Sequence, residues 1–504
     1  MEGGAGNQTE SDWTRTPKLK KGRLVERDVE IEVMLKQPTT TPHQTTPPEI
    51  TSLFGNAKVL LDETPKAVSP FGGLSSFIAF LQQRGFAEVV QKHLPFAEPA
   101  SNNAIPLGQV LTAFVMSVVV GARRFAHCQW LRADRVLHVL LGLKRFPGDD
   151  TIRNFFNRFS QGSIQRFWRP LWRWQLDQVP DRTEGFSLDL DSTVFCREGR
   201  QEGALKGFNP QRHGHNSHHP LLAVLAEAQL VLHGWLRSGN TRASRGVVAF
   251  LAEALSLLPP AVRVRTVRAD SGFFDQNLLE FLEQRALPYV IVAPLTPRLK
   301  RVCAGIKEWT VIDEHLAAAV WLQTLGASKA RRFVVLRERI RETRATYGRR
   351  LLEVPGYTFR LWVTNRSDAA LTLWRDYNGR ACVEQRIEEL KNDLGAKGFC
   401  LHSFFATEAA FLAVLFTFNL LSLYQQQTTP TQPYRQPGTL RVSVFLCGAI
   451  LGTMGRQWVV KLSAAWGGLH KHKDLVTAAL RSLDPTSPKS NSPPDQAFAI
   501  PSTA

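Results

Sequence analysis

The sequence has no paired cysteines. Its six, at 128, 196, 303, 382, 400 and 447, include no C-x-x-C pair. In 504 residues this excludes a disulfide framework and fits free thiols in a reducing compartment. The first residues, "MEGGAGNQTESDW", lack the apolar centre of a signal peptide, so a cytoplasmic home is expected. Long apolar runs are equally scarce. Only "FFATEAAFLAVLFTFNLLSLY" (404–424) has the length of a membrane span. Glu408 and Asn419 interrupt it, and such groups are costly in lipid, so a buried core helix is expected instead. No internal repeat is visible. Acids are also in deficit: 44 Asp+Glu face 62 Lys+Arg, giving +18 and a pI near 9.9. That balance calls for a polyanionic partner, nucleic acid first. No long basic amphipathic stretch supports a membrane surface instead.

What is present divides the chain by pattern. Residues 1–70 hold the Pro/Thr-rich "KQPTTTPHQTTPP" behind a basic "KLKKGR" and read as a disordered N-terminal tail. Residues 71–180 carry apolar positions at three-to-four spacing and read as a helical DNA-binding domain. Within it, "LGLKRFPGDDTIRNFFNRFS" offers a possible helix-turn-helix. Asp149 or Asp150 would cap its second helix, which bears Arg153, Asn154 and Arg158. An ordinary helical hairpin fits these residues as well.

The period changes near residue 186. "FSLDLDSTVF" alternates as a strand, and two strands follow around a turn near Glu227–Gln229. A helix ("ASRGVVAFLAEALSLL"), a strand ("VRVRTVRADS"), a helix ("QNLLEFLEQRAL") and a strand ("PYVIVAP") complete a mixed α/β order over 181–296. Residues 297–362 interrupt it with β-type segments. From Lys329 to Arg350 nine Lys/Arg stand against two Asp/Glu, so this insertion reads as a basic arm. Helices return over 363–425, and 426–504 is a C-terminal extension with a polar tail. "RHGHNSHH" (212–219) is rich in metal-type ligands but lacks zinc-like spacing to a Cys or acid; it reads as a polar loop near DNA.

The chemistry lies in separated carboxylates. Asp189 and Asp191, two apart on a strand, share one face. Asp270 ends another strand just before Ser271–Gly272, a common place for chemistry, though "ADSGFF" also reads as a turn or helix cap. The stretch "RDYNGRACVEQRIEELKNDLGAKGF" (375–399) reads as one helix. At about 100° per residue, Tyr377, Arg380, Glu384, Glu388 and Lys391 would fall within roughly one quadrant. Surface ion pairs could do that alone. Two acidic strand ends and a helix Glu converging on one pocket would instead bind two hard divalent cations through oxygen. Arg380 and Lys391 would hold phosphates beside them, and Tyr377 would stack on a base or bond a phosphate.

The spacing Y-x2-R-x3-E-x6-K at Tyr377, Arg380, Glu384 and Lys391 resembles the Y-R-E-K signature of bacterial insertion-sequence DDE transposases. "LDLDST" and "VRADSGFF" are similar to that family's two Asp blocks, and "LRSGNTRAS" and "EAAFLAVLFTFNLLSLY" to segments of its group 1 branch. The similarity spans about residues 71–465. It implies an RNase H-like mixed-sheet catalytic core interrupted by a β-rich insertion, behind an N-terminal helical domain. The 114 residues from Asp270 to Glu384 leave room for that insertion. It implies Asp191, Asp270 and Glu384 as catalytic metal ligands, with Asp191 preferred over Asp189 because it precedes Ser-Thr at the strand end, and Glu384 over Glu388. Tyr377, Arg380 and Lys391 are implied DNA-binding residues. Two Mg²⁺ ions, with Mn²⁺ able to substitute, would support cleavage at terminal inverted repeats and strand transfer into target DNA by a cut-and-paste route. A dimer or larger assembly on double-stranded DNA, associated with a bacterial nucleoid, is expected. A metal-dependent nuclease and a catalytically inactive DNA-binding regulator are the alternatives.

Overall fold

The computed structural model describes residues 48–210, 212–324, 329–339 and 356–465, together with 477, 480 and 481. The basic "KLKKGR" lies outside the described residues. Within the expected tail, Glu49–Thr51 and Lys58–Leu60 form an antiparallel hairpin, which corrects the expectation of disorder there. Pairing of Ile50 with Val59 at its centre shows why: β-branched residues meet across the strands.

Nine strands form one mixed sheet. They are β1 (Phe186–Ser192), β2 (Leu221–Leu225), β3 (Leu230–Trp235), β4 (Val264–Ala269), β5 (Tyr289–Val292), β6 (Thr310–Val311), β7 (Leu316–Thr324), β8 (Ala330–Arg339) and β9 (Tyr357–Thr364). Their order across the sheet is β6-β7-β8-β9-β5-β4-β1-β2-β3. β1, β4 and β5 run parallel, and the remaining pairs are antiparallel. Parallel neighbours need crossovers. The helices Val247–Leu257 and Gln276–Gln284 supply them, at the places the sequence periodicity predicts. The turn between β2 and β3 uses a left-handed Gln229 (φ 50°). Glu227 accepts hydrogen bonds there from the Ser187 N–H and hydroxyl.

The expected insertion is β-rich, but it extends the sheet itself, since β9 pairs with β5 from Val290↔Thr364 to Val292↔Trp362. The described part of the basic arm is largely engaged in the fold. Arg331 is buried against Glu283 at 2.8 Å, and Lys329 pairs with the same carboxylate at 3.2 Å. Arg332 donates to the carbonyls of Arg366 and Asp368. Arg337 lies over the Trp309 ring at 4.2 Å. Arg341, Arg344, Arg349 and Arg350 lie outside the described residues.

The helices Leu74–Gln83, Phe86–His93, Leu107–Val119, Asp149–Phe156 and Gln161–Leu176 pack with Phe404–Thr428, and one apolar core runs continuously from Leu74 to Cys447. Phe404–Thr428 is apolar all round and buried, as a core helix should be. Asn419 explains its polar interruption. Its amide accepts from Val231 N–H and donates to Val231 C=O, closing the exposed edge of β3. The helix Asp149–Phe156 buries Ile152, Phe155 and Phe156 and leaves Asn154 and Arg158 exposed. Neither Asp149 nor Asp150 caps it; Gly148 stands at the cap, and the Asp149 carboxylate is bonded by Gln129 and Arg153. The helix packs against Leu107–Val119 and the turn Phe125–Leu131.

Candidate active site

Two strand ends place the first two carboxylates. β1 and β4 pair in parallel with Leu190 opposite Ala269, so the next residues, Asp191 and Asp270, stand side by side where the strands end. Side-chain alternation gives Asp189 the same face as Asp191 but a different environment. Asp189 is fully buried and gripped by Arg268 through two bonds, 2.6 and 2.8 Å. A carboxylate held in a bidentate pair has no free oxygen directed at a substrate. Asp191 is the open one of the two. Its Oδ1 accepts from the Ser192 N–H at 2.7 Å, and its Oδ2 lies 3.2 Å from Arg380 Nη2. Asp270 accepts from the Gly272 N–H at 2.9 Å, so it serves as the turn residue as well.

The helix proves to be three pieces. Ala370–Asn378 carries Tyr377, Ala381–Glu388 carries Glu384, and a widened π turn, Glu389–Asp393, carries Lys391. The expected uninterrupted helix is therefore corrected, while Tyr377, Arg380, Glu384 and Lys391 still gather around Asp191. Gly379 sits at the first break, where a Cβ would stand 2.9 Å from Arg268 Nη1. That guanidinium also donates to the Asp376 carbonyl. Asp376 in turn pairs with Arg265 at 2.9 Å and with Arg366. Buried charge thus fastens the end of Ala370–Asn378 to the sheet, and the chain must turn before Arg380.

That turn brings Arg380 inward. It is 5% exposed, donates to the Leu190 carbonyl at 3.1 Å, and reaches both Asp191 and Glu384, the latter at 3.7 Å. Burial pushes the Asp191 carboxyl up to about 6 against the pull of Arg380, with repulsion from Asp270 and Glu384 adding to it. Asp191 therefore senses both of the other carboxylates. Glu384 keeps 70% of its side chain exposed, while Glu388 is exposed and bonded by Asn392 at 2.6 Å. Lys391 is half-buried; burial lowers its pKa, with Glu388 and Asp191 opposing that and Lys397 reinforcing it. Tyr377 packs against Trp362 at 5.8 Å, and burial pushes its hydroxyl up to about 12, so it sits as a neutral wall residue.

Among the described residues no group of three or more His, Cys, Asp or Glu forms a ready-made metal cluster. The donor chemistry nevertheless fits a hard divalent cation. Asp191 is repelled by Asp270 and Glu384 in a site whose cations are Arg380 and Lys391, and oxygen donors of this kind suit such an ion. The histidine-rich segment is not such a site. His213 and His215 are exposed, and His219 bonds the Thr241 carbonyl through Nδ1. His218 accepts from Arg197 Nε and bonds the Glu202 carbonyl; burial pushes it down to about 4, leaving it neutral.

Sequence reasoning missed Arg237. It is buried after β3 and gathers the carbonyls of His219, Arg242, Ala243 and Arg245. This folds the "RSGNTRAS" loop beside Asp270, with Ala243 against Gly272. An arginine at the end of an apolar strand was the available signal.

Residues 51–488 match the family Transposase DDE domain group 1. With most of its length matched, the chain belongs to that family. No curated protein sequence matches it. Among solved structures, the chain is similar to a piggyBac transposase in a cryo-EM synaptic complex with hairpin DNA, at 11% identity and TM-score 0.43, covering 76% of this chain and 83% of that one.

Proposed function

We propose that this chain is a DNA transposase that cuts the ends of its own mobile element and joins them to target DNA by a cut-and-paste route. The observation that carries this reading is the meeting of Asp191, Asp270 and Glu384 around Arg380 at the ends of β1 and β4. The strand order β3-β2-β1-β4-β5, with β1, β4 and β5 parallel, supports an RNase H-like core. The strands β6–β9 then extend that core as the family's β-rich insertion.

Asp191, Asp270 and Glu384 would hold two divalent ions, Mg²⁺ with Mn²⁺ able to substitute. When bound, such ions activate the attacking oxygen and neutralise the leaving one in an in-line phosphoryl transfer. The protein's own residues do the rest. Asp191, whose carboxyl burial raises to about 6, would be ionised and able to ligate an ion at higher pH. Arg380, positioned by the Leu190 carbonyl and the two acids beside it, would offer its remaining N–H groups to a phosphate. Lys391 adds a point charge beside it, and its lowered pKa reflects a site drier than bulk water. Tyr377 forms the wall on which the DNA backbone rests. Double-stranded DNA with terminal inverted repeats is the substrate, and synapsis of two ends calls for a dimer or larger assembly on DNA.

The test is a labelled duplex carrying the terminal repeat, incubated with Mg²⁺ or EDTA, with Glu384→Gln in parallel. Metal-dependent nicking at the repeat boundary, followed by transfer of label into a second DNA and loss of both in the variant, is expected. Cutting without joining would make the protein a nuclease. Specific binding without cleavage under any divalent ion would make it a regulator.

A further inference from the structure

The short turn Phe125–Leu131 points Phe125, Cys128 and Leu131 into the core and leaves Trp130 59% exposed. The open indole of Trp130 offers an aromatic surface with a polar N–H. Trp130 is also arranged. The His127 ring lies parallel against it, 4.3 Å between centroids and 16° between planes. Arg123 N–H donates to His127 Nδ1 at 3.3 Å, which holds that ring in place. With one face of Trp130 covered by His127, its exposure lies on the other face and the edge.

Cations surround this pair. Arg123, Arg124 and Arg132 are exposed. They are joined to the catalytic region by backbone contact. A Cβ on Gly398 would stand 1.9 Å from the Arg123 carbonyl oxygen, and one on Gly395 2.6 Å from the Arg123 Cα. Arg441 clamps the two segments, donating to the carbonyls of Val119 and Asp393. Gly395 and Gly398 bracket the exposed Lys397 and follow Lys391, which lies within electrostatic reach of Asp191. A run of cations therefore leads from the carboxylates through Lys391, Lys397, Arg123 and Arg124 to Trp130. Acids lie nearby as well: Glu388 is bonded by Asn392, Asp149 by Gln129 and Arg153, and Asp150 is exposed.

We propose that Trp130, backed by His127, is a stacking platform for an unpaired base on the DNA strand that leads away from the catalytic carboxylates. This rests on the transposase reading given above. A cationic track with an aromatic face is how proteins hold single strands, with phosphates on the charges and bases on the ring. Bases inside a duplex are already stacked on one another and present no face. Strand cleavage and fraying at an element end create bases that do.

The experiment compares two probes of one sequence: a blunt duplex, and the same duplex with a short single-stranded tail bearing 2-aminopurine. Wild-type protein is expected to quench the 2-aminopurine and to prefer the tailed probe. Trp130→Ala is expected to lose the quenching and lower the tailed-over-blunt affinity ratio about tenfold, with Trp130→Phe in between. Melting temperatures confirm that both variants fold. Quenching and preference unchanged in Trp130→Ala would overturn the platform while leaving the transposase reading intact. Failure of the wild type to bind either probe would overturn that reading, and the platform with it.

Discussion

The guanidinium of Arg380 lies 3.2 Å from the Asp191 carboxylate and 3.7 Å from that of Glu384, and so ties a strand end to a helix. One cation serves two acids. It does not fully offset the burial of Asp191, whose carboxyl is raised to about 6.

A pH dependence follows. Because the folded-state pKa of Asp191 is raised, its contribution favours the fold below the ordinary carboxylate range and is lost as pH rises through about 6. A divalent ion must compete with that proton. Mg²⁺ or Mn²⁺ is therefore expected to raise the melting temperature clearly at about pH 8 and hardly at about pH 5, where the proton already fills its role. Scanning calorimetry with and without the ion measures this. Equal shifts at both pH values would remove Asp191 from the ligand set.

The two aspartates of β1 should separate in kind. Removing the Asp189 carboxylate leaves Arg268 buried without its bidentate partner, at an expected cost of about 3–5 kcal/mol. Urea denaturation of Asp189→Ala should show that loss. Glu384→Gln alters a side chain that is 70% exposed and should change stability by less than about 0.5 kcal/mol. Its cleavage rate should nevertheless fall by more than roughly a hundredfold, since even groups that only orient metal ligands cost up to that much.

Much of this was legible in the chain. β1 to β5 and their two crossover helices follow from hydrophobic period, which is a local property. The core role of Phe404–Thr428 followed from the cost of Glu408 and Asn419 in lipid. The partners were not legible. Nothing near Asp189 in sequence announces Arg268, 79 residues away, and nothing near Arg331 announces Glu283. The break at Gly379 has the same origin. A uniform turn angle carries Tyr377 and Glu384 onto one stripe, but the buried charges of Arg268 and Asp376 bend the chain between them. Extension of the sheet by the insertion depends on pairing β9 with β5, a contact that period alone does not encode.

Gly398 should be intolerant of any side chain. An added Cβ would collide with the carbonyl oxygen of Arg123, a backbone atom that cannot rotate away. Gly398→Ala is expected to cost about 1–3 kcal/mol as the segment around Lys397 is pushed off the Ala122–Arg123 backbone. Faster hydrogen exchange confined to residues near 120–130 and 394–400 would locate the damage. An unchanged melting temperature would mean that the two segments can part freely.

Glu408 carries the last prediction. It sits on the core helix, and its Oε1 accepts from the Leu236 N–H at 3.2 Å. Burial pushes its carboxyl up to about 7, against that hydrogen bond and with Glu253 adding repulsion. A raised folded-state pKa means that the stabilising contribution is complete at low pH and is lost as pH rises through about 7. Glu408→Gln keeps an acceptor for Leu236 and removes the charge. The variant should match the wild type in stability near pH 5 and exceed it by about 1–3 kcal/mol near pH 9. Urea denaturation across that range reads the difference directly. A gap that stayed constant with pH would show that Glu408 ionises without penalty.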